Sequence, residues 1–227
     1  MTDYSFELVG FDLDGTLLDT SADLAAAVNH ALSRAGRPAL QVAEVRTMIG
    51  GGARHMLAQA LTATGSCSDD LLDMLLPELL AFYEAHIAVK SCPFPGCLEA
   101  LDALASRGVR LAVVTNKLER LAIKVLDELG LRSRFATVIG GDTLGEGRGK
   151  PHPDLIRLMI ERCGGRRAAF VGDSAFDVMA ARAAGLPVIV CGFGFLQQPA
   201  RSLGADAVID HYAELLPVLD RLGKAGA

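Results

Sequence analysis

Asp12 and Asp14 stand two residues apart in Phe11-Asp12-Leu13-Asp14-Gly15-Thr16-Leu17-Leu18-Asp19, directly after the apolar run Leu8-Val9-Gly10-Phe11. Two carboxylates at the end of a buried strand lose hydration, and a metal ion or a reacting anion is what compensates such charge. Asp and Gly are also ordinary turn residues, so the segment alone reads equally well as a turn.

Three more segments carry chemistry-bearing side chains after apolar runs or before helices. These are Thr115-Asn116-Lys117, Lys150-Pro151-His152-Pro153 and Gly172-Asp173-Ser174-Ala175-Phe176-Asp177. Each has a local explanation: Thr115-Asn116 and Asp173-Ser174 as helix N-caps, Lys150 as a solvated lysine, Pro151 as a first helical residue. Together they put several carboxylates, a hydroxyl and an ammonium at successive strand ends. In a parallel sheet those ends share one edge, where ligands bind.

The elements that must position them follow from apolar patterning. Glu7–Phe11, Val109–Thr115, 137–140, 168–172, 187–191 and 207–210 read as short strands, apolar enough to be covered on both faces. Between them, Leu118, Leu121, Ala122, Val125, Leu126 and Leu129 follow a helical period that ends at Gly130, and 98–107, 154–163 and 176–184 are similar. The expected fold class is therefore α/β, an open Rossmann-like parallel sheet.

From Thr20 to about Ala88 the alternation stops. Thr20 and Asp23 fit a capping pair ahead of a helix through Leu24, Val28, Ala31, Leu32 and Ala35, and 53–61 and 69–88 are also helical, with Pro77 expected to kink or restart the last. The expected division is a catalytic core of residues 1–18 and 89–227 with a small α-helical cap of 19–88, rejoined through the stiff segment Pro93-Phe94-Pro95-Gly96. Within the cap, Ile49-Gly50-Gly51-Gly52-Ala53-Arg54-His55 leads a glycine loop into a helix. It joins two helices, and it also offers a helix N-terminus and Arg54 to an anionic substrate tail.

Composition sets bounds. The 227 residues are 51% hydrophobic and 22% charged, which excludes a disordered chain, and a net charge of −5 with no long run of one sign argues against nucleic-acid binding. No apolar stretch approaches the ~20 residues of a membrane span, and no basic-apolar leader opens the chain, so a cytoplasmic location is expected. Cys67, Cys92, Cys97, Cys163 and Cys191 form no C-x-x-C pair, which favours reduced thiols over zinc or disulfides.

The D-x-D-G-T segment, the strand ending in Thr-Asn, the K-P-x-P lysine and G-D-x-x-x-D together resemble the four motifs of the haloacid dehalogenase superfamily, and the 19–88 insertion is similar to its helical cap. Within the superfamily, D-G-T-L-L-D-T, T-N-K and K-P-x-P are most similar to phosphoglycolate phosphatases and their close relatives. The resemblance spans nearly the whole chain. It implies Asp12 as nucleophile and Asp14 as general acid and then base. Magnesium would be held by Asp12, Asp173 and, through its main-chain carbonyl, Asp14. Thr115 and the Asn116 amide would hold phosphoryl oxygens, Lys150 would offset their charge, and Asp177 would orient water or Lys150.

The implied reaction is magnesium-dependent hydrolysis of a small phosphorylated metabolite, with 2-phosphoglycolate first and a sugar phosphate, nucleoside monophosphate or pyrophosphate as alternatives. A phosphoglucomutase-like transferase shares these motifs. A haloacid dehalogenase has no need of Asp14, and a non-catalytic binding module would lack one of the key residues. The chain departs from the pattern in Gly50-Gly51-Gly52, in Leu118 after Lys117, and in the absence of an arginine within 57–61. The expected partners are that metabolite, without nucleic acid or membrane, as a monomer or homodimer.

Overall fold

The structure is a computed structural model that describes residues 5–165 and 167–225. Its main sheet has six parallel strands: β1 (Leu8–Phe11), β4 (Arg110–Val114), β5 (Thr137–Ile139), β6 (Ala168–Gly172), β7 (Val188–Cys191) and β8 (Ala207–Ile209). Their spatial order is β5-β4-β1-β6-β7-β8. Sequence order thus runs outward in both directions from β1, the doubly wound pattern in which the strand order reverses beside the first strand. Phe11 pairs in register with Val113 on one side and Val171 on the other, so the residues after all three strands emerge side by side.

Alternation along the strands explains why both faces are covered. Val9, Phe11, Leu111, Val113, Ala169 and Val171 share one buried cluster with α5 (Cys97–Ser106), α6 (Glu119–Glu128) and α9 (Leu215–Ala225). Leu8, Ala112, Val114, Phe170 and Val188 face the other way, against α7 (Asp154–Cys163) and α8 (Ala175–Ala183).

The helices expected between the first and second motifs are α1 (Ser21–Arg34), α2 (Val42–Arg46), α3 (Ala53–Thr64) and α4 (Asp69–Ala85). Leu24, Val28, Leu32, Leu57, Leu61, Leu75, Leu79 and Tyr83 pack between them and belong to the same apolar cluster as the first sheet face. The helices leave and rejoin the sheet through a two-stranded antiparallel ribbon, β2 (Leu18–Asp19) with β3 (Cys92–Pro93), so Pro93 lies in a strand.

Three local expectations are corrected. Thr20 and Asp23 form no capping pair: Asp19 accepts the Ser21 amide and hydroxyl at the start of α1, and Asp23 accepts the amides of Lys90 and Ser91 where the chain returns. α4 runs through Pro77 as one helix, so of the two expected effects the restart does not occur. Pro151 lies before α7, which begins at Asp154. The cysteines are all free, and burial pushes the Cys97 thiol up to about 12, far from a reactive thiolate. Among the described residues no helix is long and apolar enough to cross a membrane.

Candidate active site

The central strands deliver their carboxyl-end residues to one buried point. Asp12 follows β1, Thr115 follows β4, Asp173 follows β6, and Lys150 reaches in from the loop ahead of α7; all four are at most 5% exposed. The Lys150 ammonium donates to Asp12 Oδ1 at 2.7 Å, Asp177 Oδ1 at 2.6 Å and the Val114 carbonyl at 3.0 Å. Its three protons are thereby spoken for, and the solvated-lysine reading is set aside. Asp177 Oδ2 accepts the Ser174 hydroxyl at 2.6 Å and the amides of Ser174 and Asp173 at 3.0 and 3.2 Å. Ser174 does cap α8, with Asp177 closing the capping box. Asp173 does not: its Oδ2 accepts the Phe195 amide at 2.6 Å.

Gly15 makes the first turn compatible with this crowding. Its φ of 85° is one that side-chain-bearing residues avoid, and a Cβ there would fall on the Asp173 carboxylate.

Asp12, Asp173 and Asp177 each bring one oxygen within 4.8 Å of the others. One ammonium cannot neutralise three buried carboxylates. Burial first, then the Asp177 and Asp14 charges against the pull of Lys150, push Asp12 up to about 6. Burial and the same crowding by Asp177 and Asp12 hold Asp173 well above the usual carboxylate range. Lys150 is raised as well, and so stays charged: burial alone would lower it, but Asp12 and Asp177 outweigh burial. A hard divalent cation fits this oxygen-only, electron-rich donor set. Asp177 accepts four donors across its two oxygens, whereas among the described residues Asp12 Oδ2 accepts none and each Asp173 oxygen accepts one, so Asp12 and Asp173 have the most capacity left to bind a cation.

Asp14 faces elsewhere. Its carboxylate accepts the Lys117 ammonium at 2.6 and 2.8 Å and the Thr20 hydroxyl at 2.7 Å, so its side chain is no part of the three-acid cluster. Lys117 is buried and sits 4.7 Å from the centre of the Tyr83 ring. Burial opposes its charge, yet Asp14 raises it overall. The Thr115 hydroxyl accepts the Lys117 amide at 3.3 Å and caps no helix; Asp142 caps α6 instead, through Glu119. The Asn116 amide side chain donates to the carbonyls of Gly50 and Lys150, tying the glycine loop ahead of α3 to the sheet edge.

Above Asp12 and Asp14 lies a cavity of about 40 Å³, walled by Leu24, Ile49, Met56, Leu79, Tyr83 and Lys117 among others. Arg54 is not in it. Its half-exposed guanidinium pairs with Asp73 and, at 3.7 Å, with Asp69, on an open outer groove of about 440 Å³. Sequence reasoning missed Thr20, Tyr83 and the role of Lys117. The signal for the last was its place in Thr115-Asn116-Lys117, which gave it no partner.

Residues 9–191 match the family model of haloacid dehalogenase-like hydrolases. Over 222 residues, covering 96% of this chain and 94% of the relative, the chain is 41% identical to a phosphoglycolate phosphatase of Agrobacterium fabrum. It superposes with a TM-score of 0.87 and 31% identity on the crystal structure of a predicted phosphoglycolate phosphatase from Haemophilus somnus 129PT, covering 94% of this chain and 98% of that one. CbbY from Rhodobacter sphaeroides, solved in complex with phosphate, gives a TM-score of 0.77 at 26% identity, with 95% and 99% covered.

Proposed function

The chain belongs to the haloacid dehalogenase-like hydrolases, and we propose that it is a magnesium-dependent phosphomonoester hydrolase acting on a small metabolite, first of all 2-phosphoglycolate. The observation that carries this reading is the convergence of Asp12, Asp173, Asp177 and Lys150 on one buried point beneath a small cavity.

In this reading Asp12 and Asp173, with the Asp14 main-chain carbonyl, hold the cation. When bound it neutralises phosphate charge and lets a dianion approach the buried carboxylates. An Asp12 oxygen attacks phosphorus as the bond from phosphorus to the leaving oxygen breaks. Asp14 protonates that oxygen, leaving an aspartyl phosphate on Asp12. Water then attacks the same phosphorus and gives a proton to Asp14, and the bond to Asp12 breaks to release inorganic phosphate. Lys150 and the Thr115 hydroxyl offset charge on the phosphoryl oxygens, and Asp177 aims Lys150. The helices of 19–88 act as the cap that keeps bulk water away.

The names of the relatives support the substrate, and the small cavity agrees with a small leaving group. The test is release of inorganic phosphate from 2-phosphoglycolate, with magnesium and with a chelator. Turnover that is the same in both would overturn the metal assignment, and no release with magnesium would overturn the substrate.

A further inference from the structure

Tyr83 carries the one buried side-chain polar atom that finds no hydrogen-bond partner among the described residues, its hydroxyl. A buried hydroxyl left unpaired is destabilising, so it calls for an explanation. Tyr83 lines the small cavity together with Lys117, the sole cationic residue of that lining. Lys117 has three donors and places its ammonium against the two oxygens of a single carboxylate, Asp14. The remaining walls are largely apolar: Leu24, Ile49, Met56 and Leu79.

We propose that the Lys117 ammonium and the Tyr83 hydroxyl form a subsite for a carboxylate on the leaving group of the substrate. The inference rests on the phosphatase reading and assigns the recognition that reading leaves open. Two donors side by side suit an acceptor-only group, and the ammonium selects an anion. A second phosphate is a poor occupant, because it is larger and doubly charged against one cation that Asp14 already shares. The walls suit a short methylene link. A volume of about 40 Å³ is room for a few heavy atoms, since one water needs roughly 10–15 Å³ on the same measure. Arg54, the cation suggested by sequence, lies on the outer groove and is engaged by Asp73.

The experiment compares 2-phosphoglycolate with ethyl phosphate, which has a methyl in place of the carboxylate, in the intact protein with magnesium. The wild type is expected to prefer phosphoglycolate in kcat/KM by about a hundredfold or more, the scale of recognition by polar contacts. Tyr83→Phe should cut that preference by about tenfold, mainly through KM for phosphoglycolate, as loss of one hydrogen bond to a charged group does. The same variant without substrate should melt no lower than the wild type, because the hydroxyl it removes has no partner. An unchanged preference in Tyr83→Phe, or a lower melting temperature, would overturn the subsite. Equal turnover of the two esters by the wild type would overturn it while leaving the phosphatase reading intact. Hydrolysis of neither ester would overturn both.

Discussion

Lys117 Nζ lies 2.6 Å from Asp14 Oδ2 and 2.8 Å from Oδ1, with both side chains less than a tenth exposed. Such a pair is held by mutual need: removing one partner leaves an uncompensated buried charge, at a cost of about 3–5 kcal/mol. Lys117→Met should therefore lower the urea midpoint by the equivalent of about 3 kcal/mol with an unchanged slope. Adding Asp14→Asn should recover most of the loss, since no buried charge then lacks a partner. A single variant as stable as the wild type, or a double variant no better than the single, would show that the pair does not carry this coupling.

Asp12→Asn separates catalysis from folding. Asp12 is crowded by Asp173 and Asp177, and its burial already favours the neutral acid. Replacing it by a neutral isostere removes the proposed nucleophile and relieves repulsion together. Phosphate release should fall by about 10⁴-fold or more. The metal-free variant should melt at or above the wild-type temperature at pH 7. Inactivity together with a markedly lower melting temperature would mean that Asp12 is needed for structure, not as nucleophile.

The same crowding gives the metal-free protein a pH dependence of definite sign. Asp12 has an ordinary value of 3.8 and is pushed up to about 6 in the fold. Between those values the folded state holds a proton that the unfolded chain has released. Stability is thus greatest below the lower value and declines as pH rises through about 6, by about 3 kcal/mol in total. Asp173, raised as well, acts in the same direction. Magnesium held at the proposed site would offset this loss, so its stabilisation should be larger at pH 7.5 than at pH 5. Thermal melting with magnesium and with chelator at the two pH values checks it, and an equal metal effect at both would contradict the three-acid cation site.

The sheet and the residues that gather at its edge were legible because their signals are local. Short apolar runs ending in Asp12, Thr115 and Asp173 need only the rule that parallel strands share an edge. What escaped depends on distant partners. Thr20 and Asp23 have the residue types and near-spacing of a cap, but Thr20 turns to Asp14 and Asp23 to Lys90 and Ser91, contacts that no local pattern announces. The β2–β3 ribbon has two residues per strand and one of them is a proline, too short to show a period. The Lys117–Asp14 pair joins residues 103 positions apart and appears only once β4 docks on β1.

Arg54 was the cation that sequence placed toward the substrate, and its position makes a clear prediction. The guanidinium is half-exposed and already paired with Asp73 and Asp69, on the groove outside the small cavity. Screened by solvent and held by local acids, it offers little to a ligand bound at Asp12 and Lys117. Arg54→Ala should leave kcat/KM for 2-phosphoglycolate within about threefold of the wild type, a shift on the scale of an exposed ion pair. A loss of a hundredfold would mean that the outer groove holds the substrate's anionic group.

Arg46 shows how the helical segment reaches the loop that holds Asp173. From α2 its guanidinium donates to the carbonyls of Phe193 and Gly194 at 2.9 and 3.3 Å and lies 4.9 Å over the Phe195 ring. The amide of that same Phe195 donates to Asp173 Oδ2 at 2.6 Å, so Arg46 braces the loop that orients a proposed cation ligand. Residues that orient a ligand typically account for about 10–100-fold in metal affinity or activity, and one acting through a loop belongs at the lower end. Arg46→Ala should raise the magnesium concentration for half-maximal activity by about tenfold, with a smaller fall in kcat at saturating metal. Arg46→Lys should restore little, because a compact, strongly hydrated ammonium does not reproduce the planar guanidinium that lies over the Phe195 ring while one of its nitrogens donates to both carbonyls. The measurement is activity against magnesium concentration for the three proteins. A normal magnesium dependence in Arg46→Ala would confine Arg46 to holding α2 in place and detach the brace from the metal site.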